Sequence, residues 1–294
     1  MEYPKVSVIV PCYNSSQYIK ETIESALLQS YNNIEILCVN DGSTDNTRKI
    51  LEDFGNDLTI LEHPGGKNKG QYKSVNLAIR STKSDFIAIL EHDDIWFPDK
   101  VKLQMEILLN HHDVDLVYTN GYNIDSIGKI MGPFLPDGHK ETNNPEIHIL
   151  KGYIVPSCTI ARRSVIEKIG YFNENTPVAD HDFFLKAVEI GKLSYLDIPL
   201  FCRRIHPAQQ STKRKLREDG FVLLRDATLR YPYKRKTIRK RIAVLHYSLG
   251  EWDYLNGHIL RGGYHFFLAA VYDFKRGIKE RNVWMNVLKR RWKA

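Results

Sequence analysis

The chain of 294 residues has no run of the roughly 18 to 20 uninterrupted apolar residues that a membrane-spanning helix needs. Its N-terminus, MEYPKVSVIVPCYN, has a short apolar stretch but neither a basic leader region nor a small-residue cleavage site. It therefore reads as a buried strand and not as a signal peptide. Cysteine is scarce: Cys12, Cys38, Cys158 and Cys202 show neither CxxC nor CxxH spacing. Cys12, Cys38 and Cys158 lie in or beside strand-like apolar runs, which predicts buried free thiols in a reducing, cytoplasmic setting. His63, His92 and His181 fit no zinc pattern either. Disorder of the whole chain is excluded, because 43% of the residues are hydrophobic and can fill a substantial core.

Acidic residues are scarce only at the back. Residues 1–210 hold 21 Lys and Arg against 28 Asp and Glu, whereas 211–294 hold 21 against 7. The charge divides the chain into an acidic domain, 1–210, and a basic, aromatic-rich helical extension, 211–294. Within the extension, Phe266, Ala270 and Phe274 are expected on one helical face. Trp284, Leu288 and Trp292 follow at i, i+4, i+8 beside Lys289, Arg290, Arg291 and Lys293. Such a segment suits an anionic membrane surface, with peripheral placement on the cytoplasmic face; a helical hairpin packed on the front domain is the compatible alternative. No nucleic-acid module accompanies the charge, so nucleic acid is not an expected partner.

The front alternates strand and helix. VSVIV (6–10), IEILCVN (34–40), LTILEH (58–63) and DFIAILEH (85–92) are short and apolar with turn signals at their ends. Between them lie amphipathic helical stretches. One is expected to start at Asn14 with Gln17 as capping partner, another after Ser43–Asp45, a third over 72–81 and a fourth after Pro98. This alternation predicts an α/β fold with a mainly parallel sheet covered on both faces. Ligands of such sheets bind beyond the C-terminal strand ends, which puts Pro11–Asn14, Asn40–Asp45 and Glu91–Asp94 on one rim. Further strands are expected at DLVYTNGYNID, KIMGPF, PSCTIA and SYLDIPLFCRR, with helices ending at Gly170 and over 180–189.

Carboxylates gather at these strand ends. Asp45 is expected to cap a helix. Asp93 and Asp94 are adjacent and repel each other unless a cation compensates, and crowded oxygen ligands suit a hard ion such as Mn²⁺ or Mg²⁺. Trp96 is expected in the core or as a pocket wall, and Gln71 and Asn76 are open between caps and sugar contacts.

The stretch from VSVIVPCYN to VNDGSTDNT resembles the opening of glycosyltransferase family two, the inverting family with the GT-A fold. The resemblance continues through KNKGQYKSVNLAI, FIAILEHDDIWFPDK, SVIEKIGYFNE, ADHDFFLKAVEIG and CRRIHPAQQS, and covers residues 4 to about 212. It implies transfer of a sugar from a nucleoside-diphosphate donor, UDP foremost but GDP or dTDP also open, to a glycan or lipid-linked acceptor hydroxyl. It assigns Asp180 as general base, Pro11, Tyr13, Asn14, Asp41, Asn76, Asp93 and Arg204 to the donor, and Asp93, Asp94 and His206 to the metal. Arg203 is the alternative to Arg204 for phosphate charge. Cell-surface polysaccharide or glycolipid assembly is the implied setting. Three positions depart from the family pattern: Glu91 opens the DxD region, Ala179 precedes Asp180, and Val75 replaces an Arg, leaving Lys67, Lys69 or Lys73 to supply that charge. A sugar-phosphate nucleotidyltransferase would need a Gly-rich phosphate loop with Arg near the first strand, and PCYNSSQY has none. A catalytically inactive scaffold is the other alternative.

Overall fold

The structure, a computed structural model, describes residues 3–151, 154–176, 178–207, 209 and 213–274. The chain forms two compact units, one of 1–143 with 153–207 and one of 144–152 with 208–294. The short segment 144–152 thus groups with the C-terminal helices and not with the front of the chain that contains it in sequence.

In chain order the elements are β1 (Val6–Cys12), α1 (Ile19–Leu27), β2 (Ile34–Asn40), α2 (Thr47–Glu52), β3 (Thr59–Glu62), α3 (Gln71–Ser81), β4 (Phe86–Ile89), β5 (Ile95–Trp96) and α4 (Lys100–Asn110). Then come β6 (Leu116–Ile124), β7 (Ile130–Pro133), α5 (Pro145–Lys151), β8 (Thr159–Arg162), α6 (Arg163–Ile169), α7 (Ala179–Ile190), β9 (Leu193–Arg204), α8 (Arg214–Arg230), α9 (Arg235–Leu255) and α10 (Ile259–Tyr272).

The first unit holds one mixed sheet in the order β3-β2-β1-β4-β8-β6-β9-β5, with β7 paired to β6. Strands β3, β2, β1 and β4 are parallel. Every residue of β1 is buried, as expected of a central parallel strand covered on both faces. Parallel register sets Cys12 against Asn40 and Ile9 against Ile89, so the chain leaves β1, β2 and β4 on the same rim. The other half turns antiparallel at β8, and β9 runs parallel to β6. Gly121 lets β6 and β9 meet: a Cβ there would lie 2.3 Å from the Phe201 carbonyl oxygen. All four cysteines are free and buried.

Three local expectations change. Helix α1 starts at Ile19 and not at Asn14, because the 13–16 segment is committed elsewhere: Asn14 accepts from Thr44 N (2.8 Å), and Ser15 N donates to Thr47 Oγ1 (2.7 Å). The short strand β5 has no alternation to read, and helix α5 was not expected although Asn144 before Pro145 marks its start: Asn144 Oδ1 accepts from Glu146 N (3.0 Å). Phe266 and Phe274 do not share a helical face, because α10 ends at Tyr272 and Asp273 leaves the helix with φ −145°; Phe266 is buried and Phe274 exposed.

In the second unit α9 and α10 form an antiparallel hairpin through Gly257, which has φ +90°. Close approach rests on Gly250 and Gly262, whose positions leave only 3.0 Å between a Cβ on Gly262 and the Gly250 carbonyl. Asp253 is fully buried, and two hydrogen bonds from Arg214 (2.9 and 3.1 Å) satisfy it. Those bonds, against the penalty of burial, hold its carboxyl below the usual range. No described helix is long and apolar enough to cross a membrane. The expected Trp284, Leu288 and Trp292 stripe lies outside the described residues.

Candidate active site

The acidic turn after β4 is held from three sides. Its Glu91 N–H donates to Ser157 Oγ (3.0 Å), and the Trp96 indole N–H donates to the Ser157 carbonyl (2.8 Å). Trp96 is therefore a core residue. The β5–β9 pairing sets Ile95 against Cys202 and so brings Arg204 beside the turn. Arg204 N donates to Asp94 Oδ1 (2.9 Å) and its Nε to the Asp93 carbonyl (2.9 Å). Its guanidinium also reaches Glu21 (2.6 Å) and lies 4.6 Å from the Tyr18 ring centroid. The buried Arg204 guanidinium, committed to these partners, braces the turn from within.

Glu91, Asp93 and Asp94 present carboxylate oxygens within 4.8 Å of one another. Burial first, then the Asp93 charge, pushes Asp94 up to about 7. Burial, then the charges of Asp94, Asp93 and Asp180, raises Glu91 as well. Asp94 Oδ2 is buried with no partner inside hydrogen-bond distance among the described residues, although the Ser157 hydroxyl is near enough to oppose the rise of the Asp94 carboxyl. Converging carboxylates, one with an orphaned oxygen, fit a hard divalent cation, whose charge would relieve the repulsion. Glu91 reaches this cluster despite its length and is steadied by Gln71 Nε2 (2.9 Å). His206 Nε2 lies 3.0 Å from Asp93 Oδ2, which ties the end of β9 to the turn.

Asp180 opens α7 and belongs to the same acidic field, since its charge contributes to the rise of Glu91. Its carboxyl is raised by burial, and its largest opposing influences are the His181 N–H (2.7 Å to Oδ1) and a hydrogen bond from Tyr72. Tyr72, in turn, is held far above the normal phenol range by burial and by the Asp180 charge. Arg203 lies near enough to favour the charged forms of both Asp94 and Asp180.

Asn76 braces this arrangement. Its Nδ2 donates to the Phe172 carbonyl and to Glu174 (both 2.8 Å), and its Oδ1 accepts from Phe172 N (3.1 Å). Phe172 stacks on both Tyr72 and Phe183, so Asn76 fixes α3 against the start of α7. With its amide committed in this way, Asn76 holds the site together from behind and is not presented to a donor.

At the other end of the rim, Asp41 accepts from Lys69 N (2.7 Å) and Gly70 N (2.8 Å). A carboxylate offers about four lone-pair sites, so each oxygen retains acceptor capacity. Pro11 is buried at the end of β1, while Tyr13 is 44% exposed beside it. Asn14 takes a left-handed conformation with φ 48°. Asp45 accepts from Ser16 N, Thr47 N and Thr47 Oγ1, and despite some desolvation these bonds hold it down at about 2. Tyr72 and Ser157 are the site residues that motif spacing missed. Both are joined to acidic residues by tertiary contacts alone, and no local pattern marks them.

The fold has counterparts. The family described as glycosyl transferase family 2 matches residues 7–170. An uncharacterized glycosyltransferase of Rickettsia felis is 33% identical over 71% of the chain, and the match spans 36% of that relative's length. Among solved structures, residues 1–349 of TarS from S. aureus in complex with UDP-GlcNAc align with TM-score 0.64 at 19% identity, covering 90% of this chain and 81% of that one. The mannosyltransferase PcManGT from Pyrobaculum calidifontis, in complex with GDP-Man and Mn²⁺, aligns with TM-score 0.64 at 17% identity, covering 92% and 76%. The first unit has the GT-A type of α/β sheet, and with the family's match running from β1 through the acidic turn to the end of α6, the chain belongs to glycosyl transferase family 2.

Proposed function

We propose that the protein transfers a glycosyl group from a nucleoside-diphosphate sugar, UDP the first candidate, to a hydroxyl of a glycan or lipid-linked acceptor, with inversion at the anomeric carbon. The carrying observation is the convergence of Glu91, Asp93 and Asp94 beside Asp180, at the C-terminal rim of parallel strands. Support also comes from the nucleotide sugars bound by the two aligned structures.

Tyr13 offers an exposed ring to a nucleobase, beside Pro11 and Asn14, and Asp41 retains lone pairs for a base N–H. Asp93 is placed for the ribose and, with Asp94, Glu91 and His206, for a Mn²⁺ or Mg²⁺ ion. When bound, such an ion neutralises charge on the diphosphate leaving group. Arg203 adds positive charge on the same side, while Arg204 keeps the turn in place. Asp180 takes the proton from the acceptor hydroxyl as its oxygen bonds to the anomeric carbon. The bond from that carbon to the diphosphate oxygen breaks, and the nucleoside diphosphate leaves with the electron pair. A raised proton affinity suits Asp180 to this work, because a stronger base removes a proton from a weakly acidic hydroxyl more readily.

The test is incubation of the full chain with UDP-, GDP- and dTDP-sugars, Mn²⁺ and a panel of glycan acceptors. Nucleotide release with a product of inverted anomeric configuration by NMR is the expected result. A product that keeps the donor's configuration would rule out single displacement by Asp180.

A further inference from the structure

We infer that helix α10 is a docking face for anionic lipid. In the second unit, one face of α10 packs on α9 through Gly262, Phe266 and Ala269. The opposite face is exposed and apolar: Leu260, Tyr264, Phe267 and Val271 recur at spacings of four, three and four residues. Leu260 is 91% exposed and Phe267 65%. A continuous stripe of this kind on a helix too short and too mixed to cross a bilayer has the form of an interfacial helix.

The neighbouring charge selects the occupant. Arg239 of α9 reaches the Val271 carbonyl (3.4 Å), so the basic first half of α9 flanks the C-terminal end of the stripe. Arg235, Lys236, Arg239 and Lys240 are all exposed there. No Asp or Glu occurs over 234–250 or 254–272. The heptad spacing would also suit pairing with a second copy. Two copies, however, would bring these cations together with no acidic residue on the same stretches to pair them. An anionic bilayer meets both features: headgroups attract the cations and the acyl boundary takes the aromatic and aliphatic side chains.

The experiment is co-sedimentation of the full chain with vesicles of phosphatidylcholine alone and of phosphatidylcholine with phosphatidylglycerol, with circular dichroism and elution volume as checks on folding and association. Binding to the anionic vesicles only is expected. Leu260→Ser with Phe267→Ser should weaken it at least about tenfold while leaving the spectrum unchanged, since both side chains are exposed. Arg235→Gln with Arg239→Gln should weaken it roughly 25-fold, about fivefold for each cation held at an anionic surface, and should reduce its salt sensitivity. Equal binding to both vesicles, or binding unaffected by either variant, would overturn the assignment. A wild-type dimer that the Ser variant converts to monomer, without vesicle binding, would assign the stripe to a second copy. Binding lost on removal of 275–294 but retained by the Ser variant would assign it to that segment.

Discussion

A carboxylate that takes a proton from a sugar hydroxyl gains from a raised proton affinity, and Asp180 is raised by burial while a hydrogen bond from Tyr72 restrains the shift. Asp180→Asn should therefore lower turnover roughly a hundred- to ten-thousandfold, with nucleotide affinity by calorimetry unchanged. Tyr72→Phe removes a bond that favours the charged form. The Asp180 carboxyl then rises further, so the acid limb of the pH–rate profile should move to higher pH. A limb that stays in place would detach Tyr72 from the base. Asp45 has the opposite sign. Its carboxyl falls from near 4 to about 2 on folding, so its stabilisation is present above about pH 4 and is lost as pH falls through 2. Asn46, not Asp45, is the N-cap of α2, and Asp45→Ala would remove the acceptor of the Ser16 and Thr47 N–H groups, at about 1 kcal/mol in urea unfolding at neutral pH and much less near pH 2. Asp93, Asp94 and Asp180 were visible as acidic residues at strand and helix ends. Tyr72, Ser157 and the bracing roles of Asn76 and Arg204 were not, because their partners are up to 183 positions away and only the fold pairs them.

Elements place these residues by how their ends are tied. The two-residue strand β5 is short, yet its pairing with β9 carries Arg203, Arg204 and His206 to the acidic turn. Nothing in the periodicity of Ile95–Trp96 marks a strand, because a strand of that length has no alternation to read. The apolar runs of β1, β2 and β4, four to seven residues long, were legible for the opposite reason. The start of α1 was displaced by competition: side chains at 43–47 capture the backbone of 14–16 before a helix can use it. Two substitutions test the element contacts. Asn76→Ala would leave the Phe172 N–H and carbonyl unpaired in the interior and should cost about 2 kcal/mol, read as a lower melting temperature. Gly121→Ala would force a methyl against the Phe201 backbone of the adjoining strand and should cost about 1–3 kcal/mol.

At the scale of the whole molecule, one compact unit, 1–143 with 153–207, carries the rim of carboxylates, and the other, 144–152 with 208–294, carries the helices α5 and α8 to α10. Composition carried no sign of the membership of 144–152, whose short helix α5 meets α9 only in three dimensions. The central claim is that the rim of the first unit binds a nucleoside diphosphate together with a divalent cation. Calorimetric titration of UDP, GDP and dTDP into the full chain, each with Mn²⁺ and with a chelator, tests it most directly. One nucleotide should bind in the presence of Mn²⁺ and lose at least about tenfold in affinity with chelator, and Asp93→Asn should reproduce that loss in the presence of Mn²⁺. Well-folded protein that binds none of the three, or binds one equally well with and without the metal, would contradict the assignment of Glu91, Asp93 and Asp94 to a metal-bridged donor site.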